Sequence, residues 1–230
     1  MDRNGVERAI LIQIAGEYDN SYQRACVHDH ADRLASVVHL DAILGTAPAA
    51  LEREASEGAV GVRLGAGVRS PGGDPLAIWR TAERLGLAVS CYRSGTDPAL
   101  VEEIAGALPE LRIVLEHFTG RAEDQHRARL ADLARFPNVF VKVTGLGEFA
   151  QRARPVRHPF PFDEPIPTNL EQTHRVFGAH RMMWGSDYPP VANREGYANA
   201  LALCRAQLAG KTSAEQDLIF GGTAHNVFWK

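Results

Sequence analysis

Residues 181–190 read Arg181-Met182-Met183-Trp184-Gly185-Ser186-Asp187-Tyr188-Pro189-Pro190, a short apolar run that gives way to a glycine, a carboxylate and two prolines. Such a run predicts a buried strand, and the prolines turn the chain out of it, so that Asp187 emerges at the strand's C-terminal end. The pattern recurs upstream. Short apolar or β-branched runs occupy Ala9–Ile14, Ala35–Asp41, Ala59–Leu64, Leu87–Tyr92, Arg112–His117 and Asn138–Thr144, which with Arg181–Asp187 makes seven expected strands. Stretches of helical periodicity separate them, among them Pro75–Leu85, Asp97–Leu108 and Glu123–Arg135, and Asp97-Pro98 reads as an N-cap followed by a first-turn proline. This alternation predicts βαβ units and a parallel sheet covered on both faces.

A doubly wound sheet and a closed barrel both fit that alternation, and the polar residues choose between them. Tyr92, His117, Thr144 and Asp187 stand at the C-terminal ends of different strands, and no glycine-rich phosphate loop collects at one switch point. The expectation is an α/β fold, a (β/α)8 TIM-barrel-like domain over residues 1–230, with seven strands visible and the first missing. With 230 residues, 45% of them hydrophobic, the chain can bury one sizeable core. Gly147–Thr168 holds five prolines and three arginines, and it reads as a long loop on the active-site face.

Composition narrows the function classes. A net charge of -3 with dispersed Lys and Arg gives no basic field for nucleic acid. Cys26, Cys91 and Cys204 lie far apart with no Cys-x-x-Cys spacing, so neither a disulfide framework nor a structural zinc site is expected. The start has no apolar signal region and no apolar run reaches the length of a membrane span. These features predict a cytoplasmic protein with a small-molecule substrate and no membrane partner, and they leave a homo-oligomer open.

Asp187 can deprotonate water or hold a metal from the catalytic face of a barrel, although a strand-end aspartate can equally cap a turn. His117 ends the run Ile113-Val114-Leu115 and opens into Phe118-Thr119-Gly120, where an imidazole can donate to a carbonyl or take a proton. Arg63 and Lys142 lie inside apolar runs and need anionic partners, either a carboxylate within the barrel or one on a substrate. Tyr92 and Arg93 end the fourth run and can supply a hydroxyl donor and an anion clamp, or stand at the rim. Glu116 is expected to face away from His117 and to be structural, and His39 is expected to be a satisfied mid-strand core histidine. The remaining histidines, His28, His30, His126, His158, His174, His180 and His225, show no ligand spacing and read as surface residues.

The string Arg181 to Pro189 resembles the last-strand motif of the amidohydrolase-related family, in the branch that includes 2-pyrone-4,6-dicarboxylate lactonase and sugar lactonases. Phe136-Pro137-Asn138-Val139-Phe140-Val141-Lys142-Val143-Thr144-Gly145-Leu146 resembles its seventh strand, Leu115-Glu116-His117 its sixth, and Gly58-Ala59-Val60-Gly61-Val62-Arg63-Leu64 its fourth. Gly5 to Ala9 and Gly221 to Phe228 are similar to its second-strand entry and its terminal helix. Two departures qualify the resemblance. Family members begin with a strand ending in His-x-His that has no counterpart here, and the fifth-strand histidine position holds Tyr92. Of the family's ligand set only His117 and Asp187 have counterparts, fewer than the three protein ligands of a catalytic zinc site. The resemblance therefore implies a hydrolase acting on a lactone or similar carboxylated cyclic ester without a cofactor. In it Asp187 is the general base, His117 orients the carbonyl, and Arg63, with Arg93 or Arg121, holds a substrate carboxylate. Arg121 lies four residues after His117, one more than in the family's turn. Two alternatives stay open. One is a zinc-dependent hydrolase or decarboxylase whose His-x-His lies in about forty further upstream residues, the length of one βα unit; the other is a non-catalytic remnant or binding protein.

Overall fold

The computed structural model describes residues 1–92, 98–117, 132–148 and 168–229. Arg93, Asp97, Arg121, His126, His158, most of the expected helix Glu123–Arg135 and most of the Gly147–Thr168 loop lie outside the described residues. The seven expected strands are present as β1 (Ala9–Ile12), β2 (Leu34–His39), β3 (Ala59–Gly65), β4 (Ala88–Tyr92), β5 (Ile113–Leu115), β6 (Val139–Val143) and β7 (Met182–Trp184). They follow one another across the sheet in chain order, and the pairs with a defined register are parallel. The described helices are α1 (Ser21–Asp29), α2 (Ala47–Ser56), α3 (Ala77–Arg84), α4 (Pro98–Ala107), α5 (Leu170–Phe177), α6 (Tyr197–Gln207), α7 (Ser213–Asp217) and α8 (Thr223–Phe228). None of the described helices is long and apolar enough to cross a membrane.

Several strands are shorter than their apolar runs suggest. β1 stops at Ile12, β5 at Leu115 and β7 at Trp184, so His117 and Asp187 lie just past their strands. His117 (φ 51°) and Asp187 (φ 58°) both adopt left-handed backbone, so neither can belong to the strand before it.

The chain divides into two compact units. The first comprises Met1–Leu115, Phe136–Val139 and Asn226–Lys230. Its strands alternate in sequence with α1 to α4, and its core is formed by Val37, Leu51, Val62, Leu64, Ile78, Trp79 and Val89, all fully buried. α3 turns Ile78, Trp79 and Ala82 inward, the three-and-four spacing of a helix with one apolar face. α4 starts at Pro98, which needs no N–H partner in a first turn, and buries Val101, Ile104 and Ala105. Asn138 locks this unit, its buried side-chain amide reaching the carbonyls of Ala105, Leu108 and Leu111 at 3.3, 2.9 and 3.0 Å.

The second unit comprises Glu116–Arg135 and Phe140–His225. β6 and β7 pair Val141 with Met182 and Val143 with Trp184. Arg181, immediately before β7, donates to the carbonyls of Phe177, Ala134 and Val176 at 3.0, 2.9 and 3.2 Å. Two of these are orphan carbonyls at the C-terminus of α5, where a cation also opposes the helix dipole. Burial holds the Arg181 guanidinium below its ordinary pKa. α7 opens with a capping box in which Thr212 and Glu215 satisfy each other's backbone N–H. A π-helical turn, Leu218–Gly222, follows it and packs on β7.

Candidate active site

In the second unit the chain leaves β7 through Gly185. A Cβ there would lie 2.5 Å from Oγ1 of Thr144 and 3.1 Å from Cδ of Lys142, so only glycine lets the ends of β6 and β7 run this close. Two residues on, the turn from Pro190 to Asn193 folds the loop back on itself. Asp187 O accepts from Val191 N at 2.9 Å, and Val191 O accepts from Arg194 N and Gly196 N at 3.2 and 2.8 Å. That turn carries Arg194, seven residues beyond Asp187, back onto the carboxylate.

Asp187 then has two neighbours on opposite oxygens. Oδ2 accepts from Nη1 of Arg194 at 3.1 Å. Oδ1 faces Nε2 of His117 at 3.7 Å, within ion-pair range and beyond hydrogen-bond distance. The side chain of Asp187 is 13% exposed and that of His117 44%, so a largely desolvated carboxylate meets an imidazole open to water. Arg194 in turn grips Glu195, Nε to Oε2 at 2.5 Å and Nη2 to Oε1 at 3.0 Å. Burial lowers the pKa of Arg194, but Glu195 first and Asp187 second outweigh it, and the guanidinium stands above its ordinary value. The Glu195 side chain is only 1% exposed and rests on Gly147.

Around this core Trp184 and Tyr197 meet edge to face at 5.7 Å. Burial raises the Tyr197 pKa above its ordinary value. Gly145, Gly147, Ser186, Arg194 and Glu195 border a small cavity. Thr144 places a buried hydroxyl with no hydrogen-bond partner at the end of β6. A carboxylate with one oxygen fixed by a guanidinium and the other left toward an imidazole can take a proton from water there, and the imidazole can bond a carbonyl oxygen.

The other sequence-derived candidates are placed as follows. Lys142 sits 3.6 Å from Oε1 of the buried Glu116, within the second unit, so a carboxylate of the fold itself is one of its anionic partners. In the first unit, Arg63 lies over the Tyr92 ring at 5.2 Å and donates to Gln13 O at 2.9 Å. His39 ends β2 instead of lying mid-strand. Its Nδ1 meets Arg63 O at 2.8 Å, and its ring stands edge-on to Tyr92 at 6.0 Å. His174 is not a surface histidine: its side chain is 14% exposed and Nε2 lies 2.9 Å from Oε1 of Glu215. Arg194 and Glu195 were not anticipated from the sequence. The signal that could have found them is an Arg-Glu pair following a proline turn just past a strand-end carboxylate.

A catalytic zinc ion takes three protein ligands. Among the described residues no group of three or more His, Cys, Asp or Glu converges. His117 and Asp187 supply two donors, and Oδ2 of Asp187 is engaged by Arg194. These residues do not by themselves make a three-ligand centre.

A family model described as amidohydrolase matches residues 1–229. An L-fucono-1,5-lactonase from Burkholderia ambifaria is 36% identical over 143 residues, 57% of this chain and 46% of the lactonase. The chain thus spans under half the length of that relative. Among solved structures, an amidohydrolase from Burkholderia multivorans with bound zinc superposes with a TM-score of 0.76 at 21% identity, over 99% of this chain and 85% of that one. A candidate 2-pyrone-4,6-dicarboxylic acid hydrolase from Pseudomonas putida gives 0.73 at 24% identity, over 96% and 82%. At these identities the likeness speaks to the fold, and it agrees with the TIM-barrel-type α/β class read from the sequence.

Proposed function

The chain belongs to the amidohydrolase family, and from that premise we propose that it hydrolyses a lactone or a similar carboxylated cyclic ester, with Asp187 as general base. The observation that carries the reading is the Asp187 carboxylate, largely desolvated at the end of β7, with Oδ2 on Arg194 and Oδ1 toward His117. Oδ1 accepts a proton from water as the water oxygen attacks the ester carbonyl carbon. His117 bonds the carbonyl oxygen and orients it as charge develops there. The ring C–O bond breaks, the proton passes to the departing oxygen, and the product is the open hydroxy acid. The named activity of the Burkholderia ambifaria relative supports a lactone as substrate class. Water activation in this proposal is carried by side chains.

The test is an Asp187→Asn variant, checked for folding by circular dichroism and assayed on a panel of sugar lactones and pyrone carboxylates with a pH indicator. We expect turnover to fall about 10²- to 10⁴-fold, the usual contribution of a general base. A folded variant that works at the parent rate rules Asp187 out. Stoichiometric zinc in the purified protein, with activity lost on chelation, would overturn side-chain activation of water.

A further inference from the structure

Resting on the reading of Asp187 as general base, we propose that Glu195 is its positioning residue, holding Arg194 so that Oδ2 of Asp187 is tied and Oδ1 is left to accept the proton. The argument comes from which edge of the guanidinium each carboxylate uses. Glu195 occupies Nε and Nη2, the edge that forms a two-pronged fork with a carboxylate, while Asp187 receives only Nη1. With Glu195 gone, that edge is released. Arg194 can then turn it on Asp187 and engage both of its oxygens, occupying the lone pair that would accept from water.

A carboxylate as buried as Glu195 is costly to keep, and the surroundings are built to keep it. Gly147 leaves room that any Cβ would fill, at 2.0 Å from Oε1. The amide of Asn199, on the first turn of α6, donates to the main-chain carbonyl of Glu195 at 2.8 Å and fixes where the residue starts. Glu195 touches no reacting atom in this scheme. It acts through Arg194 on the orientation of the base.

The experiment compares Glu195→Gln in the parent and in the Asp187→Asn background, on whichever lactone of the panel the parent turns over. Glutamine keeps the shape but sets an amide N–H against a guanidinium donor, so the fork fails. In the parent background kcat should fall about 10- to 100-fold with KM within about threefold, the scale of a misplaced reacting group. In the Asp187→Asn background Glu195→Gln should cause no further loss, because two residues acting through one step are not additive. A folded Glu195→Gln at the parent rate, or one that loses the same factor in both backgrounds, overturns the proposal while leaving the base assignment intact. Asp187→Asn at the parent rate overturns the base assignment itself. Should Glu195→Gln fail to fold, Arg194→Lys decides, since lysine keeps the charge without the fork edge. The same kcat-only loss supports the proposal and the parent rate overturns it.

Discussion

Replacing Gly147 with alanine tests how closely the Glu195 carboxylate is housed. The new Cβ would lie 2.0 Å from Oε1, 2.3 Å from Cδ and 2.7 Å from Oε2, where side-chain Cβ atoms keep at least 3.0 Å. The carboxylate must therefore withdraw by at least 1 Å, the difference between 3.0 and 2.0 Å. At 1% exposure it has no water to withdraw into, and withdrawal pulls on the fork to Arg194, at 2.5 and 3.0 Å. Overpacking alone costs about 1–3 kcal/mol, and disturbing a buried charge pair carries the total toward about 3–5 kcal/mol. We expect about 3–4 kcal/mol, which for a chain of 230 residues lowers Tm by about 6–16 °C. Gly210→Ala is the control, because a Cβ there meets nothing within 4 Å, and it should stay within about 0.5 kcal/mol of the parent. The assay is urea denaturation followed by circular dichroism, with thermal melts alongside. A Gly147→Ala protein as stable as Gly210→Ala would refute the packing described for Glu195.

Asn138→Ala leaves the Ala105, Leu108 and Leu111 carbonyls without their shared donor and should cost about 1–3 kcal/mol by urea denaturation. Arg181→Met removes a charged donor from the end of α5 and should cost about 1.5–3 kcal/mol in the same assay. Acid should destabilise the fold in a defined window. Hydrogen bonds from Arg33, Ser21, Lys211 and the Thr212 backbone, respectively, hold Asp2, Asp19, Glu171 and Glu215 below their ordinary values of 3.8 for Asp and 4.5 for Glu. A depressed carboxylate contributes fully above its unfolded pKa and loses that contribution as pH falls through the folded one, so the urea midpoint should drop between about pH 5 and pH 3. Lys211→Met returns Glu171 toward its ordinary value and should make that drop shallower; an unchanged slope would exclude the pair as a contributor.

The strand succession was legible because parallel strands covered on both faces are apolar runs, and each of the seven runs holds a strand. Their ends were less legible. The expected runs extend through His117 and Asp187, but both residues adopt left-handed backbone and lie past the pairing, and a sequence pattern carries no φ angle. Lys142 in an apolar run correctly demanded an anion, yet periodicity assigns a residue to a face and not to a neighbour, so Glu116 could not be chosen as its partner. Arg194 and Glu195 escaped notice for a related reason. They stand in a loop and not at a strand end, and Arg194 reaches Asp187, with Glu195 held on it, only because the Pro190–Asn193 turn folds the loop back. The histidines divided on the same principle: His28 is open to solvent, whereas His174 is drawn in by a carboxylate that also caps α7.

The left-handed backbone at His117 and Asp187 also bears on laboratory evolution. A side chain held there costs about 1 kcal/mol or more relative to glycine, which adopts that conformation without penalty. A library screened only for survival of heat would therefore enrich glycine at both positions and discard the two groups assigned to the chemistry. Heat tolerance and turnover pull these positions in opposite directions, so a campaign on this scaffold has to score both in every round.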